Sequence, residues 1–251
     1  MSYPLESIKF RFQITAAIVL NISIIIPTLN EVANIRRLCA FLCNHQANDH
    51  FEIIVVDGGS TDGTIDSISD LRKVTILNSH IASRAVQMNL GAANASFDVL
   101  YFVHADVILP YTFYADLQQA LVDYQVGSYR YRFDSTKWLL RINGYFTRFS
   151  MLWCRGGDQT LFIQRSLFDQ LGGFDEYFSV MEDFDLIRRA KKLTHFYIIP
   201  KEVIVSARKY EHNHYLRVQW ANMQAFRMYR NGVKPEVIRH FYKESLKLAT
   251  Y

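Results

Sequence analysis

The first 110 residues alternate between short β-branched runs and amphipathic segments, and this alternation constrains the fold more than any other feature of the chain. Runs rich in isoleucine and valine predict buried strands at Ile22–Ile26, Glu52–Val56, Val74–Leu77 and Val99–Val103. A first helix is expected after Asn30, which can cap it. Further helices are expected from Asp62 and over Arg84–Asn94. Strands and helices that alternate at this spacing predict an α/β fold with a Rossmann-like, mainly parallel sheet flanked by helices.

The pattern changes after Pro110. A helix at Tyr114–Tyr124 and strands at Gly127–Phe133 and Thr160–Gln164 are expected before the acidic helix start "MEDFDL". The last 40 residues are expected to form basic, aromatic helices. A chain of 251 residues without a Gly/Ser-rich linker predicts one domain. We therefore expect an extension at residues 1–21, a domain at 22–232 with halves at about 22–110 and 111–232, and a C-terminal helical tail at 233–251.

Composition excludes several classes of protein. The net charge of +4 is mild and no run of five like charges occurs, so no nucleic-acid partner is expected. The three cysteines, Cys39, Cys43 and Cys154, form no disulfide framework and indicate a reducing, cytoplasmic location. The longest apolar candidate, Ile14–Pro27, is too short for a membrane helix.

Polar clusters follow three of the predicted strands, at Pro27–Glu31, Asp57–Asp62 and His104–Asp106. Any one cluster is explained by turn chemistry, because turns favour Asn, Asp, Gly and Ser. In a parallel sheet, however, ligands bind beyond the carboxyl ends of the strands, where all three clusters are expected to meet. The carboxylate of Asp106 follows an otherwise apolar run, and burying it without a partner would be costly. The clusters together favour a ligand site.

Familiar phosphate-binding motifs fail on detail. The segment "VVDGGSTDGT" has Gly59 where phosphatases with an Asp-x-Asp-Gly-Thr motif carry their second carboxylate. No Gly-x-Gly-x-x-Gly follows the first strand, and no glycine-rich loop ends in Gly-Lys-Ser/Thr. Dinucleotide-binding and P-loop proteins are therefore not indicated.

An ordered set of motifs resembles glycosyltransferase family 2 with its GT-A fold. The set is "SIIIPTLNE", "EIIVVDGGSTDGT", "VLYFVHAD", "GGDQTLFIQRSLFDQLGGFDE" and "MEDFDLIRRAKK", and the resemblance runs from about Ile22 to Gly232. The blocks "RAVQMNLGAANASFDVLYFVHAD" and "VIVSARKYE" are most similar to the bacterial "transferase 2, radical-SAM/selenodomain-associated" subgroup. The resemblance implies inverting transfer of a sugar from a nucleotide-diphosphate donor, UDP- or GDP-linked, with a nucleotide-binding half at 22–110 and an acceptor half at 111–232.

The resemblance also implies donor-binding residues. It places Pro27, Thr28, Asn30, Glu31, Asp57, Gly58, Arg84, His104, Asp106 and Arg208 around the donor. Asp57 would accept a hydrogen bond from the base, Arg84 would lie near the diphosphate, and Arg208 with Lys209 would close over it. Glu31 could instead stabilise a helix N-terminus, and Arg84 and Arg208 could instead be solvent-exposed charges without a ligand.

The family's metal contact falls on Asp106, the second carboxylate of an Asp-x-Asp motif. The resemblance thus implies a divalent cation, Mn²⁺ or Mg²⁺, that neutralises the departing diphosphate. His104 occupies the first position of the motif. Because these ions prefer oxygen ligands, His104 is better suited to the ribose, a phosphate or a metal-bound water.

The family's catalytic pair falls on Glu182 and Asp183, with Asp183 as the general base for an acceptor hydroxyl. The alternative is that both simply favour a helix N-terminus electrostatically. Gly157, Asp158 and Gln159 match the segment that shapes the acceptor site. Two other functions stay open, a nucleotidyltransferase of the same fold and a catalytically degenerate nucleotide-sugar-binding protein.

Apolar residues recur at helical spacing in the segment Thr136–Cys154, with Lys137, Arg141 and Arg148 among them. Ordinary core packing explains such a stripe. The alternative is a surface helix against a bilayer or a lipid-linked acceptor, with its cations meeting anionic headgroups. The second interpretation predicts a cytoplasmic enzyme that is peripheral to the inner face of the membrane, with an acceptor of unknown identity.

Overall fold

The computed structural model describes residues 20–154 and 159–246. Its strands form one seven-stranded sheet in the order β3-β2-β1-β4-β6-β5-β7. The strands are β1 (Ile22–Thr28), β2 (Phe51–Asp57), β3 (Val74–Asn78), β4 (Val99–Phe102), β5 (Val126–Phe133), β6 (Leu161–Gln164) and β7 (Phe196–Val205). The helices are α1 (Val32–Cys43), α2 (Arg84–Ala93), α3 (Phe113–Leu121), α4 (Trp138–Phe146), α5 (Arg165–Leu171), α6 (Glu182–Ala190), α7 (Tyr215–Arg230) and α8 (Pro235–Ser245). The α/β prediction is confirmed; nearly all of the predicted extension at 1–21 lies outside the described residues.

The first half of the sheet is parallel, and its strands β1, β2 and β4 are buried on both faces. β1 pairs with β2 and β4 in parallel register, and every residue of β1 is buried. Successive strand residues point to opposite faces, so Ile24 packs in one core with α1 while Ile25 packs in the other with α2. Continuous apolar strands, rather than alternating ones, are what this two-sided burial requires.

α2 approaches β1 closely at Gly91. A Cβ atom built at Gly91 would lie 2.4 Å from Cγ2 of Ile25, so a larger residue there would displace the helix. The close approach brings the N-terminus of α2, which begins at Arg84, towards the carboxyl end of β1.

The second half of the sheet reverses direction. β6 runs antiparallel to both β4 and β5, whereas β5 and β7 are parallel. The sequence did not predict β7, because Pro200 and the charged pair after it interrupt the apolar pattern. The structure shows why the strand tolerates them: the pairing jumps from Tyr129–Ile199 to Arg130–Glu202, so Pro200 lies in a bulge of an edge strand.

Two local predictions after β1 and β2 are wrong. Residues after Asp62 form only a short 3-10 turn at Asp66–Ile68 rather than a helix. Asn30 adopts a positive φ of 54° and does not cap α1, whose N-cap residue is Glu31. Instead, the Asp62 carboxylate accepts a hydrogen bond from the backbone N–H of Val32 at 3.1 Å and thus serves the N-terminus of α1.

The C-terminal helices pack back onto the domain. α8, inside the predicted tail at 233–251, buries Ile238 completely and donates a hydrogen bond from Tyr242 to Asn222 of α7 at 2.6 Å. No helix in the described ranges combines the length and the apolar character that crossing a bilayer requires.

Candidate active site

A cavity of about 240 Å³ lies beyond the carboxyl ends of β1 and β4. We call it the strand-end cavity. Its lining contains these residues implied by the family resemblance: Pro27, Thr28, Glu31, Arg84, His104 and Asp106. Parallel strands bring their following loops to one edge of the sheet, which explains why residues so distant in sequence meet there.

Arg208 links two carboxylates at this site. Its guanidinium donates hydrogen bonds to both carboxylate oxygens of Glu31, at 2.7 and 3.4 Å. One of its terminal nitrogens also lies 3.8 Å from Oδ2 of Asp106. Glu31 is only 8% exposed, so this cation supplies the opposite charge that a buried carboxylate needs.

Asp57, Gly58 and Asn30 shape the loop that follows β2 and do not line the strand-end cavity. The Asp57 carboxylate accepts hydrogen bonds from the backbone of Gly59 and Ser60, each at 2.9 Å, and from the Ser60 hydroxyl at 2.5 Å. Asn30 accepts from the backbone N–H of Thr61 at 2.9 Å. These side chains hold the loop together, and base recognition by Asp57 stays a prediction.

Gln87 is a supporting residue that the sequence analysis missed. Its side-chain amide donates to the backbone carbonyls of Thr28 and Val56, both at 2.8 Å, and so ties the ends of β1 and β2 together. It is 3% exposed and lines the strand-end cavity. A polar side chain among the apolar positions of a predicted helix was the available signal.

Cations from the C-terminal region form another wall of the strand-end cavity. They are Lys209, Arg239 and Lys243. Arg239 and Lys243 are four residues apart on α8, a spacing that puts both on one helix face. That basic i, i+4 pair could have been noticed in the sequence, but only the packing of α8 on α7 shows where it points.

A larger cavity, of about 640 Å³, lies between α4, α6 and α7. We call it the helix-bounded cavity. Glu182 and Asp183 line it where α6 begins, after Met181 turns the chain with a φ of 69°. Aromatic and aliphatic side chains supply much of the remaining wall, among them Phe133, Ile142, Phe146, Trp153, Met223 and Phe226. A carboxylate thus faces a predominantly apolar space.

The acidic residues at the start of α6 have different surroundings. Asp185 accepts hydrogen bonds from Arg188 and Arg189, each at 2.6 Å. Burial acts to raise the Asp185 pKa, but the hydrogen bonds and positive charges of the two arginines together outweigh burial and hold the pKa below its usual range. Glu182 is 1% exposed and lies 3.0 Å from Nε of Arg84. Asp185 is therefore structural, whereas Glu182 and Asp183 belong to the cavity.

The two cavities are contiguous. Arg84, Val180, Lys209 and Tyr242 line both of them. A molecule in the strand-end cavity would therefore lie next to one in the helix-bounded cavity, with Asp183 on the far side of the boundary. Such an arrangement suits transfer of a group between two bound molecules.

The predicted acceptor segment is described only in part. Gly157 and Asp158 lie outside the described residues. Gln159 is 6% exposed, donates to the carbonyl of Cys154 at 3.3 Å, and accepts from Ser128 at 3.4 Å. It lines neither cavity, so any part it plays in acceptor binding is through the position of its neighbours.

The strand-end cavity fits a divalent cation that arrives with a phosphate-bearing ligand. Within residues 20–154 and 159–246, no group of three or more His, Cys, Asp or Glu side chains forms a metal cage. Mg²⁺ and similar ions, however, are commonly held by one or two carboxylates together with substrate phosphates and water. Asp106 would be the carboxylate here.

Comparison with solved structures defines the class of protein. The mannosyltransferase PcManGT from Pyrobaculum calidifontis, solved with GDP-Man and Mn²⁺, superposes with a TM-score of 0.64 at 19% identity, over 88% of this chain and 68% of that one. Residues 1–349 of TarS from S. aureus superpose with a TM-score of 0.62 at 15% identity, over 80% of this chain and 64% of that one. The sheet and its flanking helices thus have the GT-A fold.

Sequence comparison then gives the family. Residues 23–181, more than half of the chain, match the model of Glycosyl transferase family 2, and the chain belongs to that family. TagX of Staphylococcus aureus (strain MSSA476), a protein named as a glycosyltransferase, is 37% identical over 76 residues. That match covers 29% of this chain and only 21% of TagX.

Proposed function

We propose that the protein is an inverting glycosyltransferase that moves a sugar from a UDP- or GDP-linked donor to an acceptor hydroxyl. The observation that carries the proposal is the contiguity of the two cavities, with phosphate-binding chemistry in one and Asp183 in the other. Structural neighbours support the donor class, since TarS has been solved with UDP and with UDP-GlcNAc, and PcManGT with GDP-Man.

In this proposal the strand-end cavity holds the nucleoside diphosphate. Pro27 and Thr28 contact the nucleoside, and Arg84, Lys209, Arg239 and Lys243 surround the diphosphate. Positive charge there stabilises the leaving group, because negative charge accumulates on the diphosphate as the bond to the sugar breaks. Asp106 would hold a divalent cation that arrives with the donor, and that cation would supply Lewis-acid stabilisation of the developing negative charge. His104 contacts the ribose or a phosphate of the donor in this proposal.

Asp183 acts as general base. An inverting displacement needs a carboxylate that takes the acceptor proton on the face opposite the leaving group. Asp183 opens onto the helix-bounded cavity, whereas the diphosphate cations lie beyond its boundary in the strand-end cavity. Glu182, held by Arg84, is a positioning residue beside this base.

The alternative functions account for less of this arrangement. A nucleotidyltransferase would have no use for a carboxylate facing an apolar second cavity. A degenerate binding protein would need only the strand-end cavity. At a finer level, the motif blocks favour the radical-SAM/selenodomain-associated subgroup. We also propose that the enzyme works in a reducing, cytoplasmic compartment. In the described part of the chain, Cys39, Cys43 and Cys154 form no disulfide, as expected for such a compartment.

The test first identifies the donor and then removes the base. Thermal unfolding is followed with UDP, GDP, UDP-GlcNAc and GDP-Man, with and without Mn²⁺, because a ligand of the native state raises the melting temperature. With the stabilising donor, sugar transfer into an aqueous fraction and into a detergent-solubilised lipid fraction of a bacterial extract is then measured for wild type and for Asp183→Asn. We expect transfer to fall about 10²–10⁴-fold with donor affinity preserved, because Asn keeps the size of Asp but not its basicity.

Asp169→Asn is the matched control, because Asp169 is exposed on α5 and lines neither cavity. It should transfer at the wild-type rate. Transfer by Asp183→Asn within threefold of wild type would refute the assignment of the base. Donor binding by a wild-type enzyme that transfers to no acceptor fraction would favour the degenerate binding protein.

A further inference from the structure

The segment around α4 exposes an unusual amount of apolar surface. Sequence reasoning favoured ordinary core packing for this stripe, yet within α4 only Leu140 and Gly144 are buried. The exposed large side chains of the segment are Trp138 66%, Ile142 44%, Tyr145 51%, Phe146 40%, Phe149 38%, Met151 45% and Trp153 56%. Isolated exposed apolar residues are normal, but a contiguous group of this kind marks an interaction site.

A second apolar stripe lies on α7. Leu216, Trp220 and Met223 are 65%, 48% and 60% exposed, and their spacing of three and four residues places them on one helix face. Met223 and the α4 residues Ile142 and Phe146 also line the helix-bounded cavity. We call the exposed side chains of these two stripes the aromatic surface; it borders the cavity that contains Asp183.

The two chain segments that supply the aromatic surface contain basic residues and no acidic ones, although Asp134, Glu211 and Glu236 flank them directly. Residues 135–154 contain Lys137, Arg141 and Arg148 but no Asp or Glu. Residues 212–235 likewise contain Arg217, Arg227, Arg230 and Lys234 without an acidic residue. In a chain whose net charge is only +4, the positive charge is concentrated beside the exposed aromatic side chains.

We infer that the aromatic surface docks on an anionic lipid bilayer and that the acceptor is presented there on a lipid. Trp, Tyr and Phe side chains are stable at the boundary between headgroups and hydrocarbon, and neighbouring Lys and Arg are attracted to anionic headgroups. A surface with both properties complements a membrane better than it complements a protein, whose own surface mixes both signs.

The helix-bounded cavity supports the same occupant. Around the carboxylate of Asp183 the wall combines apolar side chains such as Phe133, Phe146 and Phe226 with the amides of Asn143, Gln219 and Asn222. An amphipathic acceptor matches that wall, with its hydroxyl or phosphate end at Asp183 and its apolar part along the aromatic side chains. This identification of the acceptor class rests on the proposed function, whereas bilayer docking does not.

The experiment is co-sedimentation with vesicles, without nucleotide. One set of vesicles is phosphatidylcholine alone, and the other contains equal parts of phosphatidylcholine and phosphatidylglycerol. We expect binding to the anionic vesicles at low salt, and weaker binding at high salt or without phosphatidylglycerol. Trp138→Ser combined with Leu216→Ser should reduce binding about tenfold or more, because each substitution removes a large apolar side chain from the interface.

Val122→Ser combined with Leu193→Ser is the matched control, because these residues are 69% and 53% exposed but lie outside the aromatic surface. It should bind vesicles as wild type does. Thermal unfolding of both double variants verifies that they fold. The inference would be overturned if the wild-type protein did not sediment with anionic vesicles. It would also be overturned if Val122→Ser/Leu193→Ser lost as much vesicle binding as Trp138→Ser/Leu216→Ser.

A separate readout distinguishes this inference from the proposed function. Asp183→Asn should bind vesicles normally, since Asp183 lies inside the cavity and not on the aromatic surface. Normal vesicle binding together with undiminished transfer by Asp183→Asn would refute the catalytic assignment and leave the docking surface standing. Vesicle binding that fails while Asp183→Asn abolishes transfer would refute the docking surface alone.

Discussion

Removing the two cations that α8 contributes to the strand-end cavity should weaken donor binding. The perturbation is Arg239→Gln combined with Lys243→Gln, which retains much of the side-chain length and deletes both charges. α8 itself should stay in place, because its contacts run through the completely buried Ile238 and the hydrogen bond from Tyr242 to Asn222. Any change in donor affinity therefore reports on charge at the cavity.

The size of the effect follows from the exposure of these side chains. Arg239 is partly exposed and Lys243 is exposed, so water and salt screen their attraction for a diphosphate. An ion pair of that kind contributes about 0.2–1 kcal/mol, so the two together contribute about 0.4–2 kcal/mol. At about 1.4 kcal/mol for each tenfold change, the double variant should bind the nucleoside diphosphate about 2- to 30-fold more weakly.

Calorimetric titration of UDP and GDP at low salt measures this change. Lys234→Gln serves as the control, since it removes a cation just before α8 that lines neither cavity. Raising the salt concentration should narrow the difference between wild type and the double variant. Equal affinities of the double variant and the Lys234→Gln protein at low salt would show that α8 does not contribute to the donor site.

Two further predictions concern carboxylates. Asp106→Ala should abolish the gain in UDP or GDP affinity that Mn²⁺ produces in wild type; an unchanged gain in calorimetry would place the cation elsewhere. Asp185→Asn should lower the free energy of unfolding by about 1–3 kcal/mol at neutral pH, a figure reduced for the exposure of Arg188. Because folding lowers the Asp185 pKa, this stabilisation is complete above the unfolded pKa of about 3.9 and is lost as pH falls through the folded value. Urea unfolding at pH 7 and pH 3 measures the difference in unfolding free energy between wild type and Asp185→Asn. An equal difference at both pH values would contradict this account.

The elements that sequence predicted best were those with a local cause. β4 is apolar along its whole length and β1 is apolar apart from Ser23 and Thr28, because both faces of the sheet are covered there, and that pattern is visible without any tertiary information. β7 was missed because its bulge at Pro200 makes sense only beside β5. The helix expected at Asp62 failed because that carboxylate is used by α1, a partner 30 residues away in the chain.

The candidate site divides in the same way. Residues on the strand ends, such as Glu31 and Asp106, could be placed from motif order alone. The Glu31–Arg208 contact, with a sequence separation of 177, could not, nor could the approach of Arg239 to the same cavity. The helical spacing of apolar residues in α4 is the same whether they pack in the core or face a membrane. The spacing shows that one face of the helix is apolar but not what contacts that face.

Arg84 lines both cavities and lies 3.0 Å from the buried Glu182, and in the proposed function this position would couple the occupancy of the two cavities. In the proposed function, a bound diphosphate would draw the guanidinium towards itself and leave the buried Glu182 with less compensating positive charge. An acceptor beside Glu182 and Asp183 would then meet a different charge environment when the donor is present. Thermodynamic linkage requires the reverse as well, so an acceptor at Asp183 must change donor affinity by the same factor by which donor changes acceptor affinity. A single arginine would thus make the affinity for each substrate depend on the presence of the other in the neighbouring cavity.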